Sequence, residues 1–263
     1  MDFNEKIKKK WNEGKSICVG LDPVMENLPE GIVDFFEFNK EIIDATFDLV
    51  AAYKPNTAFY EGMGIKGIEA LQKTSEYIKQ KYPDVVIILD AKRADIGNTN
   101  EGYVKFAFDF LDSDAITLHP YLGKEALSPF LKRKDKGLFV LCRTSNPGAG
   151  EFQDILSKDI PLYQIVAQEI SSNWNENGTV GLVVGATYPE ELLEIRNIDS
   201  EIPLLIPGIG AQGGDLEKTV KYAKKNFIIS SSRGIIFASK KSDFAKAARE
   251  ETLKLSEDIK KYL

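Results

Sequence analysis

Residues 85–98 read VVIILDAKRADIGN, and the rest of the chain is organised around them. Val85 to Leu89 are five consecutive apolar residues, far too few to cross a membrane. Their β-branched bias suits a strand buried on both faces of a parallel sheet. The run then changes abruptly into Asp90, Lys92, Arg93 and Asp95 and ends at Gly97. Side chains alternate along a strand, so Asp90 and Lys92 are expected on one face, one pleat apart. Such a pair could simply neutralise itself at the edge of the fold. In α/β proteins, however, sites are built at the carboxyl ends of parallel strands. Here the charges follow the apolar run.

Outward from this stretch, strand-like and helix-like patterns alternate to both ends. Strands are expected at Ser16–Leu21, Val50–Tyr53, the Val85 run, Ala115–Leu118, Leu138–Cys142, Val180–Val184, Leu204–Ile206 and Phe227–Ser230. The helical periodicities between them fall at Val33–Leu49, Ile65–Tyr82, Thr99–Leu111, Lys124–Leu131, Leu162–Trp174, Glu190–Arg196 and Leu216–Lys225, and a last helix runs from Phe244 to Tyr262. Eight alternations without a linker or a composition break predict one (β/α)₈ TIM barrel over residues 1–263.

Bulk properties exclude several classes. A net charge of −6 gives no footprint for nucleic acid. No apolar stretch reaches the length of a membrane span. The basic start, Lys6 to Lys10, is followed by too short an apolar run for a signal peptide. Lys8, Lys9 and Lys10 read as the solvated face of a first helix. Cys18 and Cys142 sit in strand-like runs and read as reduced core residues of a cytoplasmic protein. With one histidine, His119, no multi-histidine metal site is possible. A histidine beside a proline at a strand end is more often structural than catalytic, and His119 takes no role.

The residues just past each apolar run are the candidate site: Asp22, Lys54, Asn56, Asp90, Lys92, Asp95, Ser145, Gln212 and Arg233. Lys54, Asp90, Lys92 and Asp95 could form an alternating chain of charge. A lysine between carboxylates keeps its ammonium form, which suits proton delivery to a carbanion and not Schiff-base chemistry, which needs a neutral amine. Late in the chain, PGIGAQGGD (residues 207–215) follows the seventh strand and SSRG (231–234) the eighth. In barrels these two loops are the usual phosphate site, and glycines let backbone N–H groups reach an anion. Gly208, Gly210 and Gly213 also satisfy GxGxxG. A dinucleotide fold needs more βα units than remain after this point.

These residues carry a resemblance. DxKxxD at Asp90, Lys92 and Asp95, with Ile96-Gly97-Asn98-Thr99 after it, resembles the signature of the orotidine 5′-phosphate decarboxylases. So do GLDP at 20–23, Lys54-Pro55-Asn56, TSNPG at 144–148, the PGIGAQGGD run and Ser231–Gly234. Six motifs in order, from near Ser16 to beyond Ile235, resemble the longer bacterial and protozoal branch. His119 departs from the pattern, where asparagine is expected. The resemblance implies cofactor-free, metal-free decarboxylation of orotidine 5′-monophosphate to uridine 5′-monophosphate in pyrimidine synthesis. It implies that Lys92 protonates C6, flanked by Asp90 and Asp95, with Asp95 and Thr99 coming from the partner chain of a homodimer with shared active sites. Asp22, Lys54 and Asn56 would hold the ribose side, Ser145 the pyrimidine, and Gln212, Arg233 and Gly234 the phosphate. Arg143–Gly150 is the candidate lid.

Two rivals remain at this level. Mg²⁺-dependent sugar-phosphate enzymes of the same barrel superfamily share DxKxxD, but want an acidic residue where this chain has Lys54. A non-catalytic nucleotide-binding barrel would have no use for the intact Asp90, Lys92 and Asp95 set.

Overall fold

The computed structural model describes residues 1–209 and 213–263. Among the described residues the strands are β1 Ile17–Leu21, β2 Ala52–Pro55, β3 Val86–Arg93, β4 Ala115–Leu118, β5 Gly137–Arg143, β6 Leu156–Ser157, β7 Ile160–Pro161, β8 Val180–Val184, β9 Leu204–Pro207 and β10 Phe227–Ser231. Eight of them close into a barrel in the order β1-β2-β3-β4-β5-β8-β9-β10, with β10 returning to β1. Every pairing in the barrel is parallel. All eight strands expected from the sequence are present, and the architecture is the (β/α)₈ barrel. β6 and β7 form a separate antiparallel hairpin after the β5 loop.

Strand alternation sorts the core into two compartments. Val86 and Ile88 of β3 point into the barrel with Cys18, Ala52, Ala115, Phe139, Leu205 and Ile228. Ile87 and Leu89 point outward under the helices, with Tyr53, Ile116, Leu138 and Val140. The same parity places Lys54 two residues above Ala52, Asp90 above Ile88 and Thr117 above Ala115. On the β2–β4 side the top of the barrel interior is therefore polar where the layers below it are apolar. The first helix, Phe3–Asn12, covers the opposite end, with Phe3 packed edge-on to Phe139 at 5.9 Å.

Four helical expectations are corrected. Lys8 and Lys9 are exposed, but Lys10 is buried, as is Lys6, which reaches Asp114 at 2.9 Å. Long aliphatic stems let lysine cover apolar surface, so a lysine run does not have to be a solvated face. The expected helix at 99–111 starts earlier, at Gly97, and widens into a π-helix over Lys105–Phe110; the helix from Leu162 likewise ends in a π turn at Ile170–Trp174. The expected helix at 124–131 is two short turns, Gly123–Ala126 and Ser128–Leu131.

Candidate active site

Asp90 is the hub. One carboxylate oxygen, Oδ2, accepts from Lys54 Nζ at 2.8 Å; the other, Oδ1, accepts from Lys92 Nζ at 2.6 Å and from the Thr117 hydroxyl at 2.9 Å. Lys54 and Asp90 are each 7 % exposed, so their charges are held out of water and depend on one another. Burial alone would raise the Asp90 carboxyl, but the ammonium groups of Lys54 and Lys92 outweigh it and hold it far below the usual carboxylate range. Burial alone would lower the Lys54 ammonium, but Asp90 and then Asp22 outweigh it and hold it above its ordinary value.

Lys92 arrives by a route that alternation alone does not describe. It sits at φ +46°, in the left-handed region that a lysine rarely adopts. The ladder slips at the same place: Leu89 faces Ile116 of β4, yet Arg93 already faces Leu118. The extra length on β3 forms a bulge of the kind that re-aims a side chain at a strand end. Lys92 is the exposed member of the trio, with its ammonium aimed back onto Asp90.

These groups line a cavity of about 470 Å³. Its polar wall includes Lys54, Asp90, Lys92 and Ser145, and its apolar wall Leu141, Val183, Leu205 and Pro207. A second lobe of about 180 Å³ adjoins it through Lys54 and Pro207 and includes Asp22, Ser232, Arg233 and Gly234. Asp22 accepts the Asn56 backbone N–H at 3.2 Å, and Asn56 in turn caps the Thr57–Glu61 helix. Gly20 has no side chain because a Cβ there would stand 2.6 Å from that of Ser232. Ser145 is positioned by Gly185 in the same way, since a Cβ at Gly185 would lie 2.7 Å from the serine's own.

The structure thus brings Asp22, Lys54, Asn56, Asp90, Lys92, Ser145, Arg233 and Gly234 to one end of the barrel. It does not bring Asp95 to Lys92 within the chain. Asp95 Oδ1 accepts the Ile96 N–H at 2.7 Å instead, and Thr99 is exposed in the first turn of the next helix. The expected alternating chain of charge therefore reads Lys54, Asp90, Lys92 and stops there. Gln212 lies outside the described residues. Among the polar residues lining the cavity, Thr117 and Gln153 were not expected from the sequence, while Thr144 and Asn146 were read only as part of the TSNPG motif and the candidate lid. Gln153 grips the root of the candidate lid, accepting from the Thr144 N–H at 2.9 Å and donating to its hydroxyl at 2.8 Å. For Thr117 the signal was available, a polar residue at an inward position of an otherwise apolar strand.

A family model described as orotidine 5′-phosphate decarboxylase / HUMPS family matches residues 15–249. The chain belongs to this family. Among relatives, it is 45 % identical to an orotidine 5′-phosphate decarboxylase of Cupriavidus metallidurans, covering all of this chain and 99 % of that one. It is 46 % identical to the enzyme of that name from Herpetosiphon aurantiacus, covering 94 % of each. Among solved structures, that of Leishmania donovani OMP decarboxylase superposes with a TM-score of 0.84 at 34 % identity, covering 98 % of this chain and 99 % of the other. The family assignment agrees with the resemblance read from DxKxxD, GLDP and the two phosphate-type loops. Among the described residues, no helix is long and apolar enough to cross a membrane.

Proposed function

We propose that the protein decarboxylates orotidine 5′-monophosphate to uridine 5′-monophosphate, with Lys92 as the proton donor to C6. The observation that carries this reading is the Lys54–Asp90–Lys92 trio at the top of the barrel interior, in a chain of this family. Loss of carbon dioxide leaves an electron pair at C6. An ammonium about 4 Å away is worth roughly 4 kcal/mol at an effective dielectric near 20, about a thousandfold in rate. Enhancements of slow reactions can exceed roughly 20 kcal/mol, so the remainder falls to a preorganised, closed site and to binding energy taken from the phosphate. Asp90, with three donors on its two oxygens, holds both lysines in place without solvent reorganisation. In this reading its negative charge also repels the substrate carboxylate as carbon dioxide leaves.

Asp22, Lys54 and Asn56 would hold the ribose, Ser145 the pyrimidine, and Arg233, Gly234 and Gln212 the phosphate in the smaller lobe. Asp95 and Thr99 would serve the neighbouring chain's site in a homodimer. Two features support that part: the Asp95 carboxylate accepts from the Ile96 N–H and is not the partner of its own Lys92, which pairs with Asp90, and the adjacent Ile96 is 61 % exposed. The two cysteines are free and buried, which supports a reduced, cytoplasmic setting.

The family also covers Mg²⁺-dependent sugar-phosphate chemistry by resemblance, and Lys54 speaks against it here. The end of β2, where such a site wants a carboxylate, carries an ammonium already committed to Asp90. The test is the fall in orotidine 5′-monophosphate absorbance with purified protein, with and without EDTA. Turnover to uridine 5′-monophosphate that is unaffected by EDTA is expected. No turnover, or turnover abolished by EDTA and restored by Mg²⁺, contradicts the proposal.

A further inference from the structure

We propose that Thr117 is a positioning residue for the decarboxylation, its one hydroxyl fixing both the Asp90 carboxylate and the backbone of Lys92. Its role presupposes the reading of Asp90 and Lys92 given above. Between Leu89 and Arg93, β3 has three residues, Asp90, Ala91 and Lys92; between their partners Ile116 and Leu118, β4 has only Thr117. Thr117 therefore stands opposite the whole bulge. An unbroken strand would turn the Lys92 N–H toward β2, as it turns the Val86 N–H onto the Ala51 carbonyl, and away from β4. Here that N–H donates to Thr117 Oγ1 at 2.9 Å, and the same hydroxyl donates its proton to Asp90 Oδ1 at 2.9 Å.

A hydroxyl is one of the few small groups able to do both, because it donates one hydrogen while accepting another. Thr117 is fully enclosed, so water is poorly placed to substitute. The direction of the relay also matters. Donation to Asp90 Oδ1 fixes the oxygen that Lys92 Nζ shares, so the ammonium and its own main chain are tied to one point. The left-handed φ of Lys92 is disfavoured for any side chain but glycine, and the bond from its N–H is the contact that holds the residue there. Valine at this position keeps the volume and β-branching but can neither accept from Lys92 nor donate to Asp90. Lys92 then loses its fixed approach, while the phosphate lobe, which lies across the barrel, is untouched.

The experiment compares Thr117→Val and Thr117→Ser with wild type by steady-state kinetics on orotidine 5′-monophosphate, with thermal melting of each. Expected for Thr117→Val is a fall in kcat of roughly 10- to 100-fold, the scale of a hydrogen bond to a charged group, with KM within about threefold of wild type. Thr117→Ser, which keeps the hydroxyl, should recover kcat to within about fivefold of wild type. If Thr117→Val is not recovered folded, Thr117→Ala is read against Thr117→Ser in the same way. Wild-type kcat in the folded Val or Ala variant overturns the assignment. So does a serine variant as slow as valine, or a loss carried by KM alone. A wild-type protein inactive on this nucleotide overturns the functional reading itself, and the positioning role falls with it.

Discussion

Asp90 carries more of the structure than its size suggests, because three donors from three strands converge on its two oxygens. Its folded-state pKa is depressed, so the stability it contributes is fully present above the ordinary carboxylate value of about 3.9 and drains away as the pH falls further. Asp90→Asn leaves buried Lys54 without its ion-pair partner, an expected loss of about 3–5 kcal/mol at pH 7. The gap between the two proteins should then narrow below about pH 4, where the Asp90 carboxyl of the unfolded wild-type chain takes up a proton that the folded one still refuses. Urea midpoints measured from pH 7 to pH 3 check this, and a gap that stays constant would sink it. The charged partners were legible in the sequence as the residues that follow an apolar run. That Lys92 would sit at φ +46° was not, because nothing in DAKRAD favours a left-handed lysine; the conformation is imposed by the β4 register and not by local propensity.

At the scale of elements, the barrel strands were readable because each is a short apolar run ending in charged, polar, glycine or proline residues, and Asp90 follows Ile88 and Val86 by simple alternation. The β6–β7 hairpin was not, since two-residue strands carry no period, and Leu156 lies exposed. The two phosphate-type loops were recognised from their glycines and Arg233, although Gln212 lies outside the described residues. The β5 loop is held from two sides. Gln153 grips its root, and Gly185 at the end of β8 leaves room for Ser145. A methyl at Gly185 would meet the Cβ, Cα and backbone N of Ser145 at 2.7–2.9 Å, and the backbone has to shift to admit it. Overpacking of that kind costs roughly 1–3 kcal/mol. Gly185→Ala is therefore expected to raise KM on orotidine 5′-monophosphate about tenfold or more while lowering the melting temperature by a few degrees. Unchanged kinetics in a soluble Gly185→Ala protein would remove Ser145 from the site.

For the whole molecule, the proposed dimer makes Asp95, half-buried in the loop after β3, part of a neighbour's site. If Lys92→Ala and Asp95→Asn chains are unfolded together and refolded in equal amounts, about half of the dimers are mixed. Each mixed dimer has one site with both residues intact, so activity should recover to roughly a quarter of wild type per site. Mixed dimers verified by mass that stay inactive would show that Asp95 serves its own chain. The claim on which the rest depends is that Lys92 delivers the proton. Purified Lys92→Ala, with wild-type melting behaviour and uridine 5′-monophosphate binding within a few-fold of wild type, should release almost no carbon dioxide from saturating orotidine 5′-monophosphate. Turnover near the wild-type rate in that same preparation would contradict it.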